Sequence, residues 1–201
     1  MYTLAYKNQK SNNISSFKIQ GGYLNMMYIT PVEDCVVDFG DGTKQTYTGN
    51  NPFTGVTHDY SESNIYTIKI IGNHSNFKAS INTIEIIQLA DSVTDCSSMF
   101  EDCASLTAIP STLIIPNSVT DCAQMFSGCS SLISDISNIW PSTWNYDGTI
   151  NLSNMFESCS KVVGTVPADK LWNSGKTFNS SSCFTGCTSL TNYNEIPAGW
   201  K

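Results

Sequence analysis

A 14-residue segment that occurs four times in the second half of the chain limits the possible folds more than any other feature. The copies are VTDCSSMFEDCASL (93–106), VTDCAQMFSGCSSL (119–132), TINLSNMFESCSKV (149–162) and TFNSSSCFTGCTSL (177–190). Aligned on their shared Phe, they follow one another at spacings of 26, 30 and 28 residues. One unit of this length cannot bury its own apolar face, so the pattern predicts copies that stack on each other.

The order of residues within a copy predicts a short helix. The third position is Asp or Asn, which are preferred helix N-caps because the side chain accepts from free N–H groups of the first turn. The predicted caps are Asp95, Asp121, Asn151 and Asn179. Apolar residues then recur at offsets 0, 3, 4 and 7, which is one stripe of a helix. The predicted buried repeat core is Cys96, Met99, Phe100, Cys103, Cys122, Met125, Phe126, Cys129, Met155, Phe156, Cys159, Phe184 and Cys187.

The eight cysteines suggest a special chemistry, and the copies themselves test that idea. The position of Cys96 and Cys122 is taken by Leu152 and Ser180 in later copies, an exchange that a metal ligand or nucleophile does not tolerate. The cysteine spacings also differ from the CxxC pattern that zinc sites prefer. Buried free thiols are therefore favoured, while disulfides between stacked copies and a metal or catalytic role remain as alternatives.

The first third of the chain reads as short strands separated by turn residues. The predicted strands are SSFKIQ, LNMMYIT, CVVDFG, KQTYTG and IYTIKIIG, and IEIIQL (84–89) is expected as an extended entrance to the repeats. GDGT at 40–43 predicts a hairpin with a type I′ turn. The pattern indicates a small antiparallel sandwich.

Three motifs of this region resemble the polycystic-kidney-disease (PKD) domain: VVDFGDGT (36–43), THDY (57–60) and YTIKIIG (66–72). The family's core Trp is replaced by Val37. The resemblance implies an Ig-like sandwich that is usually an extracellular spacer or adhesion module. Asp38, Asp41 and His58 are its chemically reactive residue types. We expect Asp38 and Asp41 to hydrogen-bond the tight turn and His58 to pack at the sandwich edge near Tyr60, with a calcium or catalytic role as the alternative.

The repeats resemble BspA-like leucine-rich repeats, on the MFxxCxSL core with Ile109-Pro110 and Ile196-Pro197, over roughly residues 80–201. That resemblance implies binding or adhesion rather than chemistry. The expected fold is mainly β with short helices: an Ig-like β-sandwich followed by a short leucine-rich-repeat solenoid. The expected domains are an N-terminal arm (1–12), a PKD-like sandwich (13–76) and a solenoid of about four repeats (77–201).

Composition narrows the possible partners. The net charge is −7 and the chain contains no Arg, which argues against nucleic-acid binding. No run of 18 apolar residues predicts a membrane helix, and residues 1–13 do not resemble a secretion signal. We expect a protein or glycan partner at a cell or virion surface, with no membrane insertion and no cofactor or metal. A partner chain or Trp200 is expected to cover the end of the stack, so a homo-oligomer and attachment to a larger assembly are the two alternatives.

The copies do not share two aromatic inserts, 137–148 and 168–176, and these are the candidate binding sites. Aromatic side chains on polar loops are typical of sugar stacking and protein hot spots. The candidates are Trp140, Trp144, Tyr146 and Trp172. Trp144 and Tyr146 are expected to be exposed, whereas Trp140 and Trp172 are equally compatible with binding and with filling gaps in the core.

These observations predict a non-enzymatic surface recognition, adhesion or decoration module. The favoured setting is a phage virion structural protein, such as a head-decoration, fibre or tail-associated protein. The alternatives are a bacterial cell-surface adhesin or binding protein, a purely structural spacer, and a glycan-active enzyme that would use Asp147, Glu157 and Asp169.

Overall fold

The computed structural model describes residues 13–22, 24–49 and 53–201, and the predicted N-terminal arm (1–12) lies outside them. The chain is mainly β. Its strands are β1 (Ile14–Gln20), β2 (Leu24–Pro31), β3 (Cys35–Asp38), β4 (Lys44–Tyr47), β5 (Thr54–Asp59), β6 (Ile65–Ile71), β7 (His74–Lys78), β8 (Thr83–Gln88), β9 (Thr149–Asn151) and β10 (Thr177–Asn179). Within the described residues, 3₁₀ turns lie at Ala168–Lys170, Tyr193–Glu195 and Ala198–Trp200.

The first eight strands form two antiparallel sheets that enclose a common core. The larger sheet has the order β4-β3-β6-β1-β8, and the smaller has the order β5-β2-β7. Alternate side chains of β1 and β2 point inward, as in half-buried strands generally. The ring of Phe17 in one sheet stacks on that of Phe77 in the other, with centroids 5.5 Å apart.

All five predicted strands are present, and three further strands complete the sheets. β5 contains the THDY motif up to its Asp59. β8, which was expected to lead into the repeats, instead pairs with β1 at the edge of the larger sheet. β7 spans the boundary predicted between residues 76 and 77 and pairs with β2, so sheet pairing continues past that boundary.

The predicted hairpin between β3 and β4 forms, but its turn is not type I′. Asp38 pairs with Lys44, which leaves a five-residue loop. Gly40 and Gly42 have φ values of 80° and 96°, whereas Asp41 does not have a positive φ. A type I′ turn needs positive φ at two consecutive residues, so the separated glycines build a wider loop.

The short helices predicted for the repeats are wrong, because each copy is built from two successive four-residue turns. In the first copy, the N–H of Met99 donates to the carbonyl of Cys96, and that of Cys103 donates to the carbonyl of Phe100. The third residue of each turn is left-handed: φ is 53° at Ser98 and 60° at Asp102. The same pattern occurs at Gln124, Gly128, Asn154, Ser158, Ser182 and Gly186. A helix cannot pass through such residues.

The predicted helix caps therefore open turns instead of helices. Oδ1 of Asp95 accepts from the N–H of Ser97 at 2.7 Å, and Oδ1 of Asp121 accepts from that of Ala123 at 2.8 Å. Asn151 makes the same contact with Ser153. This is the Asx-turn geometry, in which the side chain replaces a backbone acceptor. Asn179 instead donates through its side-chain amide to Oδ1 of Asn151, at 3.1 Å.

Four backbone hydrogen bonds join each copy to the next. The N–H groups of Cys96, Ser98, Phe100 and Asp102 donate to carbonyls of residues 121, 123, 125 and 127, at 2.7–2.9 Å. The second and third copies repeat this arrangement with the copy that follows each of them. We call this row of contacts the turn ladder and the stacked copies the repeat column. In every ladder bond the earlier copy donates and the later copy accepts.

A line of aromatic rings runs through the molecule. Phe100, Phe126, Phe156 and Phe184 stack with successive centroid distances of 5.6, 5.1 and 6.0 Å. At one end Phe77 of β7 contacts Phe100 edge-on at 5.7 Å, and at the other Trp200 stacks on Phe184 at 6.2 Å. The backbone carbonyl of Trp200 also accepts a hydrogen bond from the N–H of Phe184 at 2.8 Å, so Trp200 occupies the place of a fifth copy.

The predicted repeat core is confirmed. Every residue named for it is fully buried, together with Leu152 and Cys183. All eight cysteines are buried free thiols. Most of the recurring thiols donate to a carbonyl of the preceding copy: Cys129 to Phe100, Cys159 to Phe126 and Cys187 to Phe156, at 3.0–3.1 Å.

Candidate functional site

Two of the four candidate binding aromatics belong to the core. Trp140 is 1% exposed and meets the rings of Phe156 and Phe184 edge-on at 6.1 Å. Trp144, which was expected to be exposed, is 4% exposed, and its indole N–H donates to the carbonyl of Lys170 at 3.0 Å. The expectation of exposure at Trp144 is wrong because the 168–176 insert folds over the 137–148 insert and supplies that acceptor.

The other two candidates lie nearer the surface. Tyr146 is 44% exposed at the tip of its insert. Lys176 holds that tip, since its Nζ donates to the carbonyl of Tyr146 at 3.0 Å and to the carboxylate of Asp147 at 2.9 Å. Trp172 is half-buried and contacts Trp200 edge-on at 5.5 Å. A binding role for Tyr146 and Trp172 stays a prediction. Both residues lie in inserts that are held in place by these contacts.

A groove of about 400 Å³ lies beside the first insert. Its lining residues are Leu89, Asp91, Ile114, Ile115, Pro116, Asn117, Ser118, Pro141 and Ser142. Two backbone hydrogen bonds join its walls: Ile115 donates to Ile139 at 2.8 Å, and Asn145 donates to Asn117 at 3.0 Å. Ile114 is 57% exposed there. The groove is thus a pre-formed surface that combines the solvent-exposed side chain of Ile114 with polar neighbours.

This groove could not be predicted from the sequence. Its residues lie in connecting segments that the copies do not share, and residues 89–91, 114–118 and 141–142 come together only when the copies stack. The available signal was the apolar run LIIP (113–116), in which alternation leaves Ile114 outside while Leu113 and Ile115 point inward.

Asp41 stabilises the turn between β3 and β4, as expected. Nε2 of His58 lies 2.6 Å from Oδ2 of Asp41, and its ring stacks on Phe39 with centroids 4.1 Å apart. Oδ1 of Asp41 accepts both the N–H and the hydroxyl of Thr43. Although burial opposes ionisation, the hydrogen bonds from Thr43 and His58 lower the pKa of Asp41 to about 2.

Asp38 makes a similar contribution on the other side of this loop. Its carboxylate binds Nζ of Lys44 at 2.8 Å and accepts the N–H of Gly40 at 3.0 Å. Partial burial favours the neutral acid, but these contacts with Lys44 and Gly40 outweigh it and lower the pKa of Asp38. Both carboxylates are thus held ionised by their structural partners, which anchor the β3–β4 loop.

The three carboxylates considered for glycan hydrolysis lie in separate segments. Asp147 pairs with Lys176, whose hydrogen bond and charge lower the pKa of Asp147. Glu157 belongs to the third copy, and Asp169 lies in the first 3₁₀ turn. The partner of Asp147 is thus a lysine that stabilises a loop.

The thiols are far from reactive. Burial raises the pKa of Cys103 and of Cys159 to about 12, and it also raises the pKa of Cys129 and Cys187 strongly. A protonated thiol is a poor nucleophile and a poor metal ligand. Among the described residues, no group of three or more His, Cys, Asp or Glu side chains is arranged to hold a metal ion.

The architecture defines a mainly β protein in which two antiparallel sheets are joined to four copies of a stacked double turn. The chain belongs to the family DUF285, described as "Mycoplasma protein of unknown function", which it matches over residues 43–142 and 70–197. This family is associated with BspA-like repeat proteins. The comparisons with curated proteins and with solved structures found no match. Within the described part of the chain, no helix is long and apolar enough to cross a bilayer.

Proposed function

We propose that this protein is a non-enzymatic recognition module that works at a virion or cell surface. In this proposal the two sheets are a PKD-like, Ig-like sandwich, and the repeat column is a BspA-like leucine-rich-repeat solenoid. The observation that carries the proposal is that shared and unshared residues of the repeat column occupy different places. Residues shared by the copies are buried, whereas the groove and the inserts carry residues that the copies do not share.

A stiff scaffold of this kind suits recognition. The turn ladder and the aromatic line fix the position of each copy, so the groove is ordered before a ligand arrives. Binding then costs little conformational entropy on the protein side. Ile114 supplies an apolar contact, while Asp91, Asn117 and Ser142 supply polar groups around it. A protein or glycan of a surface is the partner that we assign to this groove.

Two chemically similar residues allow a matched test. Ile114 lines the groove and is 57% exposed, while Ile133 is 63% exposed and is not part of it. Wild-type protein is screened against an array of purified bacterial and host glycans and against intact bacterial cells. We expect Ile114→Lys to weaken the binding by about tenfold, as for a hot-spot contact, and Ile133→Lys to leave it unchanged. Equal losses in both variants, or no binding by the wild type, would contradict the proposal.

The setting of the protein is a separate part of the proposal. A phage virion structural protein is our first assignment, and a bacterial cell-surface adhesin is the alternative. The family description names Mycoplasma, which supports the bacterial alternative. Antibodies against the protein should label purified virions in the first case and intact, uninfected cells in the second.

A further inference from the structure

The two ends of the repeat column differ in their hydrogen-bonding groups. In the first three copies, four N–H groups per copy donate to the next copy. In the fourth copy the corresponding groups belong to Ser180, Ser182, Phe184 and Gly186. Phe184 donates to Trp200, whereas the other three N–H groups have no acceptor within the described residues. This end of the column therefore presents donors only.

The electrostatics of the ladder reinforce this difference. Each ladder N–H shares its peptide unit with a carbonyl that points the opposite way, towards the preceding copy. The dipoles of these units are therefore parallel throughout the column, whereas those of ordinary β-sheets largely cancel. Aligned peptide dipoles place partial positive charge at the N–H end. That end is the surface of the fourth copy.

The charged side chains follow the same direction. The first copy contains Asp95, Glu101 and Asp102, the second contains Asp121, and the third contains Glu157. The fourth copy, 177–190, contains no acidic residue, although the whole chain has 17. The cation Lys201 lies near this end, with its Nζ 5.1 Å from the ring centre of Tyr193. The neighbouring segments 168–176 and 191–201 carry Asp169 and Glu195 together with Lys170, Lys176 and Lys201, so this end is less acidic than the chain as a whole, whose net charge is −7.

The end of a second repeat column does not fit this end. Two such ends facing each other would oppose donor to donor. The acceptor end of the column is already covered by the segment that follows β7, since Ala79 donates to the carbonyl of Met99 at 2.8 Å. Head-to-tail stacking is blocked for the same reason. The occupant must bring acceptors of its own.

An aromatic surface at the same end narrows the chemistry of that occupant. Trp172 is half-buried, and it packs on Trp200, which stacks on Phe184 of the fourth copy. Ser181 is exposed and lies between Ser180 and Ser182 in the sequence. Indole rings combine an apolar face with a polar edge and suit amphipathic ligands.

We propose that the end of the repeat column binds an acidic polysaccharide. Its carboxylate or sulfate oxygens accept from the free N–H groups of Ser180 and Ser182, and a sugar ring rests on Trp172. Rows of backbone N–H groups are established anion-binding devices in proteins. This site is separate from the groove, and it stands or falls independently of the function assigned there.

The test uses a sulfated dextran oligosaccharide and unsulfated dextran of the same length, added to ¹⁵N-labelled full-length protein. The sulfated form should shift the amide signals of Ser180, Ser182 and Gly186, and the unsulfated form should shift them much less. The proposal is overturned if those three amides do not move. It is equally overturned if an oligoglutamate peptide of the same charge moves them as much, since a sugar ring would then contribute nothing.

A pair of variants locates the site. Ser181→Glu places a carboxylate beside the free donors, whereas Ala123→Glu makes the same change at the equivalent position of the second copy, where the donors are used. We expect Ser181→Glu to weaken binding of the sulfated oligosaccharide by about fivefold or more, through repulsion at close range. Ala123→Glu should retain wild-type affinity, and equal weakening by both variants would show a general charge effect and refute the site.

Discussion

Two residues in each copy adopt the left-handed conformation on which the double turn depends. Glycine fills one of these positions in the second and fourth copies, at Gly128 and Gly186, while the first and third copies use Asp102 and Ser158. A residue with a Cβ costs roughly 1–2 kcal/mol in this conformation. In the first three copies the N–H group at each such position donates to the next copy, which offsets that cost.

This cost leads to a prediction about Ser158, whose φ is 65°. Ser158→Gly should raise the free energy of unfolding relative to Ser160→Gly by about 1 kcal/mol, because glycine relieves strain only at the left-handed position. Ser160 is an exposed turn residue of the same copy, and its φ is not positive. Urea denaturation of the two variants measures the difference. If Ser158→Gly is the less stable of the pair, the left-handed geometry is not a source of strain.

The recurring cysteines are a second feature at this scale. Exchange of Cys for Leu or Ser between copies correctly indicated buried, unreactive thiols, but only at the first position of the turn. The cysteine present in all four copies has a further role, because Sγ of Cys129 donates to the carbonyl of Phe100 at 3.1 Å. That acceptor also takes the N–H of Cys103. At this position the thiol both packs in the buried core and donates a hydrogen bond.

Stability should fall in alkaline solution because of these thiols. Their pKa is 9.0 when exposed and about 12 in the folded protein for Cys103 and Cys159, so only the unfolded chain ionises between these values. The contribution of these thiols to the free energy of unfolding should be constant below about pH 9 and decrease as the pH rises towards 12. Urea denaturation at pH 8, 9 and 10 measures this slope. Cys159→Ala should have a shallower slope, and an unchanged slope would contradict the assignment.

At the scale of elements, the sequence was informative for the sandwich strands and misleading for the repeats. Alternation of β-branched and polar residues in β1, β2 and β6 matches one buried face, so these strands were predicted within a residue or two. In the repeats, offsets of 0, 3, 4 and 7 are typical of a helix. Two successive four-residue turns bury the same offsets, and only the backbone at Ser98 and Asp102 distinguishes the two.

The inserts show why a binding surface is harder to predict than a strand. The acceptor that buries the indole N–H of Trp144 is the carbonyl of Lys170, 26 residues later and in the other insert. Nothing in the 137–148 segment reveals that partner. The groove has the same origin, since it joins residues from three connecting segments. Within the repeat column, the burial of the shared residues could be predicted from the sequence, whereas the contacts of the connecting segments could not.

Trp200 is expected to stabilise the fourth copy selectively. Trp200→Ala removes a ring that is 7% exposed and stacks on Phe184, which should cost about 3–5 kcal/mol. Hydrogen exchange should become faster in residues 177–190 and change little in residues 93–106. Uniform acceleration through the whole column would mean that the column opens only as a unit.

At the scale of the whole molecule, β7 and the segment after it link the sandwich to the repeats. β7 pairs with β2, and Phe77 lies between Phe17 of the larger sheet and Phe100 of the first copy. The carbonyl of Ser80 accepts the thiol of Cys103 at 3.4 Å, as the phenylalanine carbonyls do in later copies. This segment thus serves the column as a preceding copy, and the hydrophobic core is continuous across the junction.

A substitution at this junction should therefore lower the stability of both the sandwich and the repeats. Phe77→Ala should lower the free energy of unfolding by about 3–5 kcal/mol and shift the melting transitions of both parts together. All four tryptophans lie between residues 140 and 200, so their fluorescence reports the repeats, while far-UV circular dichroism reports the whole chain. Val32→Ala, at a residue 49% exposed, is the control and should shift neither signal. Separate midpoints in Phe77→Ala would contradict a shared core.

The one-way donation in the turn ladder also determines how such a chain can change in evolution. Each copy presents a complete row of acceptors to the copy before it and a complete row of donors to the copy after it. Duplicating or deleting a whole copy preserves both rows, whereas losing a single residue within a turn displaces every contact beyond it. Length variation is consequently confined to the connecting segments, in agreement with spacings of 26, 30 and 28 residues around an unvarying 14-residue segment. Whole copies are therefore the units that can be gained or lost, and new binding specificity can arise in the segments between them.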